Sequence, residues 1–158
     1  MAEIGVDIVI GQILGVLVEA FEGPQQNWSY FTDTGKGSGL LGTLERMSAT
    51  DASRVLGKTS IAAHVNHVIF GLEASSAWIE GDRTTRKWSE SWSLTEADDE
   101  RWRRMQALLR TGYRDLRKNI ELFAASSAES MGGVVGALAH VAYHLGAIRQ
   151  KAAIAMAS

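Results

Sequence analysis

The chain holds one proline, Pro24, in 158 residues, so everything from residue 25 to residue 158 is free of the strongest helix breaker. No segment shows the sustained alternation of apolar and polar residues that marks a half-buried strand, whereas apolar residues recur at spacings of three and four along most of the chain. The expected class is all-α.

The spacing predicts a first helix over about residues 5–22, where Ile10, Ile13, Leu14, Leu17 and Phe21 form a stripe and Gly23-Pro24 stops it. A polar loop follows over residues 28–39. Leu40, Leu41, Leu44 and Met47 then suggest a shorter helical piece, and residues 48–58 read as a connection. A second long helix is expected from Thr59 or Ser60, either of which can cap it, to about Glu80, before Gly81-Asp82. Past a loop with Trp88 and Trp92, Thr95 reads as the opening of a third helix, with Asp98 three residues on at capping-box spacing. Its core stripe is Trp102, Met105, Leu109, Tyr113, Leu116, Ile120 and Phe123. A fourth helix, over about residues 130–156, has Val134, Leu138, Val141, Leu145 and Ile148 as its seam and a start weakened by Gly132, Gly133 and Gly136. Four long helices make a bundle, and the length suits one domain over residues 1–158, with no internal repeat.

The formal net charge is −2, with basic residues scattered among acids, which argues against nucleic acid as a partner. Glu3 and Asp7 precede an apolar stretch broken by Gly11 and Gln12, so the N-terminus reads as a core helix and not an export signal. No other segment is expected to reach the roughly 20 apolar residues that span a bilayer, and the reading is a soluble protein with no membrane partner. The absence of cysteine excludes disulfides, thiolate metal sites and a cysteine nucleophile, and fits a cytoplasmic protein. Any thiol chemistry then needs a thiol from outside the chain.

All four histidines fall in two pairs, His64 with His67 and His140 with His144, each on a helix. Separations of three and four put both imidazoles of a pair on one face, so packing two such helices converges three or four neutral nitrogen ligands on one point. At about 100° per residue, the face of His140 and His144 also carries Gly133, Gly136, Ala137, Ala147 and Lys151; the face of His67 carries Ser60, His64, Gly71, Ala74 and Trp78. Faces of such small residues fill a core badly but leave room for an ion, water and a ligand. One pair alone is more often structural or exposed; two pairs that use every histidine favour a divalent metal such as Zn, Ni, Mn or Fe. Spacing does not choose between His64 and His67 as ligand.

Other residues carry weaker signals. Trp78 shares the histidine face and is a candidate pocket wall, whereas Trp102 reads as core packing. Trp88 and Trp92, four apart, read as loop anchors before caps of the bundle mouth. The Tyr143 hydroxyl is a candidate proton donor near His140, against the plainer reading of a packed interface tyrosine. Arg149 lies almost opposite His140 and suits a salt bridge or subunit contact; Glu73 lies away from the His67 face, and Gly35-Lys36-Gly37 is a turn and not a phosphate loop. Ile8, Ile10, Val16 and Val18 make the first helix apolar beyond one narrow stripe, which points to further cover.

The run Ala139-His140-Val141-Ala142-Tyr143-His144-Leu145-Gly146-Ala147-Ile148-Arg149-Gln150 is similar to the C-terminal HxxxHxGxI signature of the DinB-like superfamily, the DinB/YfiT-like metalloenzymes. Ser60-Ile61 followed by His67-Val68 resembles that family's second-helix motif, in which a histidine lies seven residues after a serine or threonine. The resemblance runs from the second helix to the end of the chain. It implies a four-helix bundle with a long crossover connection, a divalent metal held by His67, His140 and His144, and a homodimer. His64 would then line the pocket or stand behind a ligand; Trp78 and Tyr143 are further substrate-binding candidates by their own helical positions. Ala147 stands where many members have a glutamine after the motif glycine. Characterised relatives include transferases and isomerases that use low-molecular-weight thiols, so the resemblance implies a thiol-dependent transferase acting on a small electrophilic substrate. The rival readings are a metal-dependent hydrolase and a non-catalytic metal- or small-ligand-binding stress-response protein.

Overall fold

The computed structural model describes residues 4–157, and among them every regular element is helical. Four long helices carry the fold: α1 (Val6–Glu22), α4 (Ile61–Glu80), α5 (Asp99–Phe123) and α6 (Ala128–Met156). Two short helices, α2 (Leu40–Glu45) and α3 (Ala49–Ser53), lie between α1 and α4, and a 3-10 turn over Trp88–Trp92 lies between α4 and α5. Helix α4 packs against both α5 and α6, and α1 packs against the same two. Buried side chains from all four meet in one core, among them Leu17 and Phe21 of α1, Val65 and Leu72 of α4, Leu109 and Leu116 of α5, and Leu145 and Ile148 of α6.

The ends of the helices follow from local chemistry. Gly23 terminates α1 at φ 93°, and Gly81 ends α4 in the left-handed region at φ 107°, both conformations that side chains disfavour. The hydroxyl of Ser60 accepts from the Ala63 N–H at 3.1 Å to cap α4, and donates to the Thr95 carbonyl at 2.6 Å, tying the start of α4 to the approach to α5. Thr95 is therefore not the cap of α5. Asp98 is: its carboxylate accepts from the Arg101 N–H at 2.7 Å, consistent with the stronger capping preference of aspartate over threonine.

Two further differences from the sequence reading are local. Residues 49–53 form a helical turn capped by the Ser48 hydroxyl, too short for a hydrophobic period to reveal. Helix α6 starts at Ala128, capped by Ser127, and runs unbroken through Gly132, Gly133 and Gly136. Packing explains one of those glycines: a Cβ on Gly133 would lie 2.6 Å from Cδ1 of Trp78. Helix α6 is also long and apolar enough, by length and composition alone, to cross a membrane, so the expectation that no segment approaches that limit was too strict. Its seam residues Val134, Val141, Leu145 and Ile148 are buried in the core.

The loop after α1 is fastened by a buried carboxylate. Glu19 accepts from the backbone N–H groups of Tyr30, Phe31 and Thr32 and from the Thr32 hydroxyl, all at 2.9–3.0 Å. Farther on, Arg149 of α6 forms an ion pair with Asp33, which holds the same loop against the last helix.

Candidate metal centre

Packing of α4 on α6 brings His67, His140 and His144 together, with one ring nitrogen from each lying within 4.8 Å of the others. His67 and His144 are buried and His140 is half-buried. Nε2 of His67 and Nε2 of His140 face each other at 3.0 Å. The ring centroids of the three lie 4.6–4.9 Å apart. Glycine makes the approach possible: a Cβ on Gly71 would sit 2.4 Å from Cε1 of His140.

Hydrogen bonding fixes the tautomer of His67. The Ser91 hydroxyl has one proton, donated to the Trp88 carbonyl at 2.5 Å, so toward Nδ1 of His67 at 2.6 Å it can only accept. Nδ1 of His67 therefore carries the ring proton, and Nε2 presents a lone pair to His140. At 3.0 Å, His140 must answer that lone pair with its own Nε2 proton or share a cation with it, since two facing lone pairs repel. For comparison, imidazole nitrogens at bonding distance to tetrahedral Zn²⁺ are about 3.3 Å apart, from Zn–N lengths of roughly 2.0–2.1 Å. Donor type, spacing and tautomer thus fit a divalent ion.

His64 stands behind this trio. Its Nδ1 lies 3.0 Å from Nδ1 of His144, and its Nε2 lies 3.0 Å from the Thr59 hydroxyl. Of the two directions in which protons can run along this chain, the one with His144 donating to His64 and His64 donating to Thr59 leaves Nε2 of His144 as a lone pair. Burial holds all four imidazoles neutral. His144 is pushed down to about 3 and His67 to about 4, in each case by desolvation first and neighbouring histidines second. His140 is lowered by burial, and His64 by burial and then by the charge of Lys151.

Aromatic rings close one side. Trp92 stacks on His67, centroids 4.1 Å apart and planes 19° from parallel, while Trp88 lies 5.7 Å from His67 and 5.8 Å from His140. The 3-10 turn that carries both is pinned to α4 by Asn66, whose side-chain amide donates to the Ser91 carbonyl at 2.7 Å. These tryptophans wall the histidines, a role the sequence reading placed second to loop anchoring. Ser91 and Asn66 were not singled out from sequence, and Thr59 was read only as a candidate helix cap. The four-residue spacing of Trp88 and Trp92 was the available signal.

A cleft of about 860 Å³ opens beside His140, lined by Trp88, by Trp78 and Ala74 of α4, by Gly132 and Gly136 of α6, and by the segment around Arg83. Trp78 is 41% exposed, with its indole N–H on the Glu129 carbonyl and the Arg83 guanidinium over its ring at 4.1 Å. Tyr143 is not packed in an interface within the chain: it is 72% exposed, with its ring edge-on to His144 at 5.0 Å. Glu73 is exposed and faces Arg86, away from the histidines.

No family model, no curated protein and no solved structure matches the chain.

Proposed function

We propose that the protein is a metal-dependent enzyme of the DinB-like kind, a four-helix bundle in which His67, His140 and His144 hold a divalent ion and a soluble thiol attacks a small electrophile. The observation that carries the reading is the convergence of three neutral imidazoles, one with its tautomer set by Ser91, at the end of an open cleft. When bound, such an ion lowers the pKa of a coordinated thiol or water so that a nucleophilic anion exists near neutral pH.

The protein's own groups do the rest. Trp88 and Trp92 exclude water from the face of His67, and Ser91 orients that ring. His64 and Thr59 orient His144 in the same way. Among the described residues no carboxylate joins the histidine cluster. Coordination would bring either a thiol or water within reach of ionisation near neutral pH without a protein base, so the thiol is preferred over water on the sequence resemblance alone. With no cysteine in the chain, the thiol is a co-substrate.

Protein purified without chelators should carry a divalent ion in near-stoichiometric amount, measured by plasma emission spectroscopy. His144→Ala should remove most of it. His64→Ala should weaken affinity by roughly 10–100-fold, as loss of a group behind a ligand typically does, while leaving the site able to fill at high metal. Titration calorimetry on chelator-treated variants decides this, and equal abolition by both substitutions would show His64 to be a ligand. A screen of thiols against alkylating and epoxide electrophiles, with the metal-free protein as control, tests the reaction.

A further inference from the structure

The cleft beside His140 has two unlike ends. One is His140, the member of the histidine centre that lines the cleft, with Trp88. The other is formed by Trp78 and Arg83, and between them lie the small side chains of α4 and α6. A Cβ built on Gly132 or Gly136 meets no atom within 4 Å, so the space over α6 is open to a guest and not taken up by the protein.

The far end carries two acids, Asp82 and Glu129, and two arginines, Arg83 and Arg86, and they differ in how they are engaged. Asp82 is engaged at both oxygens: one accepts from the Thr84 N–H at 2.8 Å and the other from Arg86 at 2.9 Å. Arg86 is in turn held by Asp82 and faces Glu73 at 3.9 Å. Glu129 is turned back on its own helix, where its backbone N–H and the Ser127 hydroxyl stabilise its carboxylate. Arg83 differs from all three. Its guanidinium lies over Trp78 and spends one N–H on the Trp78 carbonyl at 2.6 Å; the charges of Asp82 and Glu129 act on it from farther off, but among the described residues no carboxylate pairs with it within 4 Å. A guanidinium has five N–H donors, so Arg83 retains most of its capacity for an oxyanion, and stacking on the indole holds its plane in place.

We infer that the cleft takes a small molecule with a flat apolar body and a carboxylate or similar anion, the anion held by Arg83 and the body lying over Gly132 and Gly136 toward His140. As a statement about substrate the inference rests on the histidine centre being the reacting end. As a statement about binding it stands without the metal, and the test is built on that difference. Chelator-treated protein is titrated with 3-phenylpropionate and, in parallel, with the uncharged 3-phenylpropan-1-ol, at low salt, with binding followed by amide chemical shifts.

The acid should bind about fivefold tighter than the alcohol, the scale of one solvent-accessible ion pair. Arg83→Gln should remove that preference and leave alcohol binding unchanged, and Arg83→Lys should keep part of it. Gly136→Leu, whose Cβ meets no protein atom within 4 Å, puts a side chain into the open space and should weaken both ligands together. Equal affinity for acid and alcohol in the unaltered protein, or a preference that survives Arg83→Gln, would overturn the assignment of the anchor. Undiminished binding to Gly136→Leu would overturn the assignment of the cleft. Metal content measured separately tells these failures from a failure of the histidine centre.

Discussion

Gly71 decides how closely α4 can approach the His140 ring, and it allows stability and metal affinity to be separated. Alanine there would place a methyl 2.4 Å from Cε1 and 2.8 Å from Nδ1, so the half-buried ring must swing away from His67. In a helix interior, alanine is favoured over glycine by about 0.8–1.0 kcal/mol, which offsets part of the strain. Gly71→Ala should therefore lower metal affinity by tenfold or more while the metal-free melting temperature changes by only a few degrees; calorimetry and thermal unfolding monitored by circular dichroism give the two numbers. Ser91→Ala acts from the other side. Without its acceptor the His67 ring can turn over or take the other tautomer, and a roughly 10–100-fold loss of affinity is expected. The histidines themselves were legible in sequence because helical spacing converts directly into a shared face. Ser91 was not, and Trp92 only as the lesser of two readings, because they reach His67 from a short turn whose position depends on tertiary contacts through Asn66.

At the level of elements, the long helices were readable because each carries an apolar stripe of several turns; α5 is the plainest, with Trp102, Met105, Leu109, Tyr113, Leu116 and Ile120 all buried. Short elements lack the length to show a period, and their limits depend on caps: Ser48 begins one that spacing could not announce. The loop after α1 depends on a single group. Burial alone would raise the Glu19 carboxyl, but the N–H groups of Tyr30, Phe31 and Thr32 and the Thr32 hydroxyl together hold it below its ordinary value. A carboxyl depressed in the folded state contributes stability that is complete above its unfolded pKa, near 4.5, and is lost as the pH falls through the folded value. Glu19→Gln replaces one acceptor oxygen by a donor facing N–H groups, and should cost about 2–3 kcal/mol at pH 7. In urea unfolding across pH 7 to 3, the gap between the two proteins should narrow in acid; a constant gap would mean that the carboxylate charge is not what fastens the loop.

For the whole molecule, the N-terminal region presents an apolar surface to solvent. Ile4, Val6, Ile8 and Val9 are 39–68% exposed, a patch wider than a solitary helix face needs. We propose a homodimer through this region, for which light scattering at micromolar concentration should report about twice the chain mass of 17.1 kDa. A mass of one chain, independent of dilution, would refute it. Of the residues whose spread suggested that width in sequence, Ile8 is exposed while Ile10, Val16 and Val18 are half-buried; the uncovered patch lies at the start of α1, because the helix packs on α5 and α6 with its C-terminal half. The histidine centre also has a consequence for the life of the chain. His67 and His140 are 73 residues apart in sequence, so an ion held between them fastens together segments that separate whenever the chain opens. Binding only the closed form at a hundred times Kd adds about 2.7 kcal/mol. Where a protease cuts only opened molecules, that is roughly a hundredfold longer survival, and the abundance of the protein would then track the supply of metal even in the absence of any substrate.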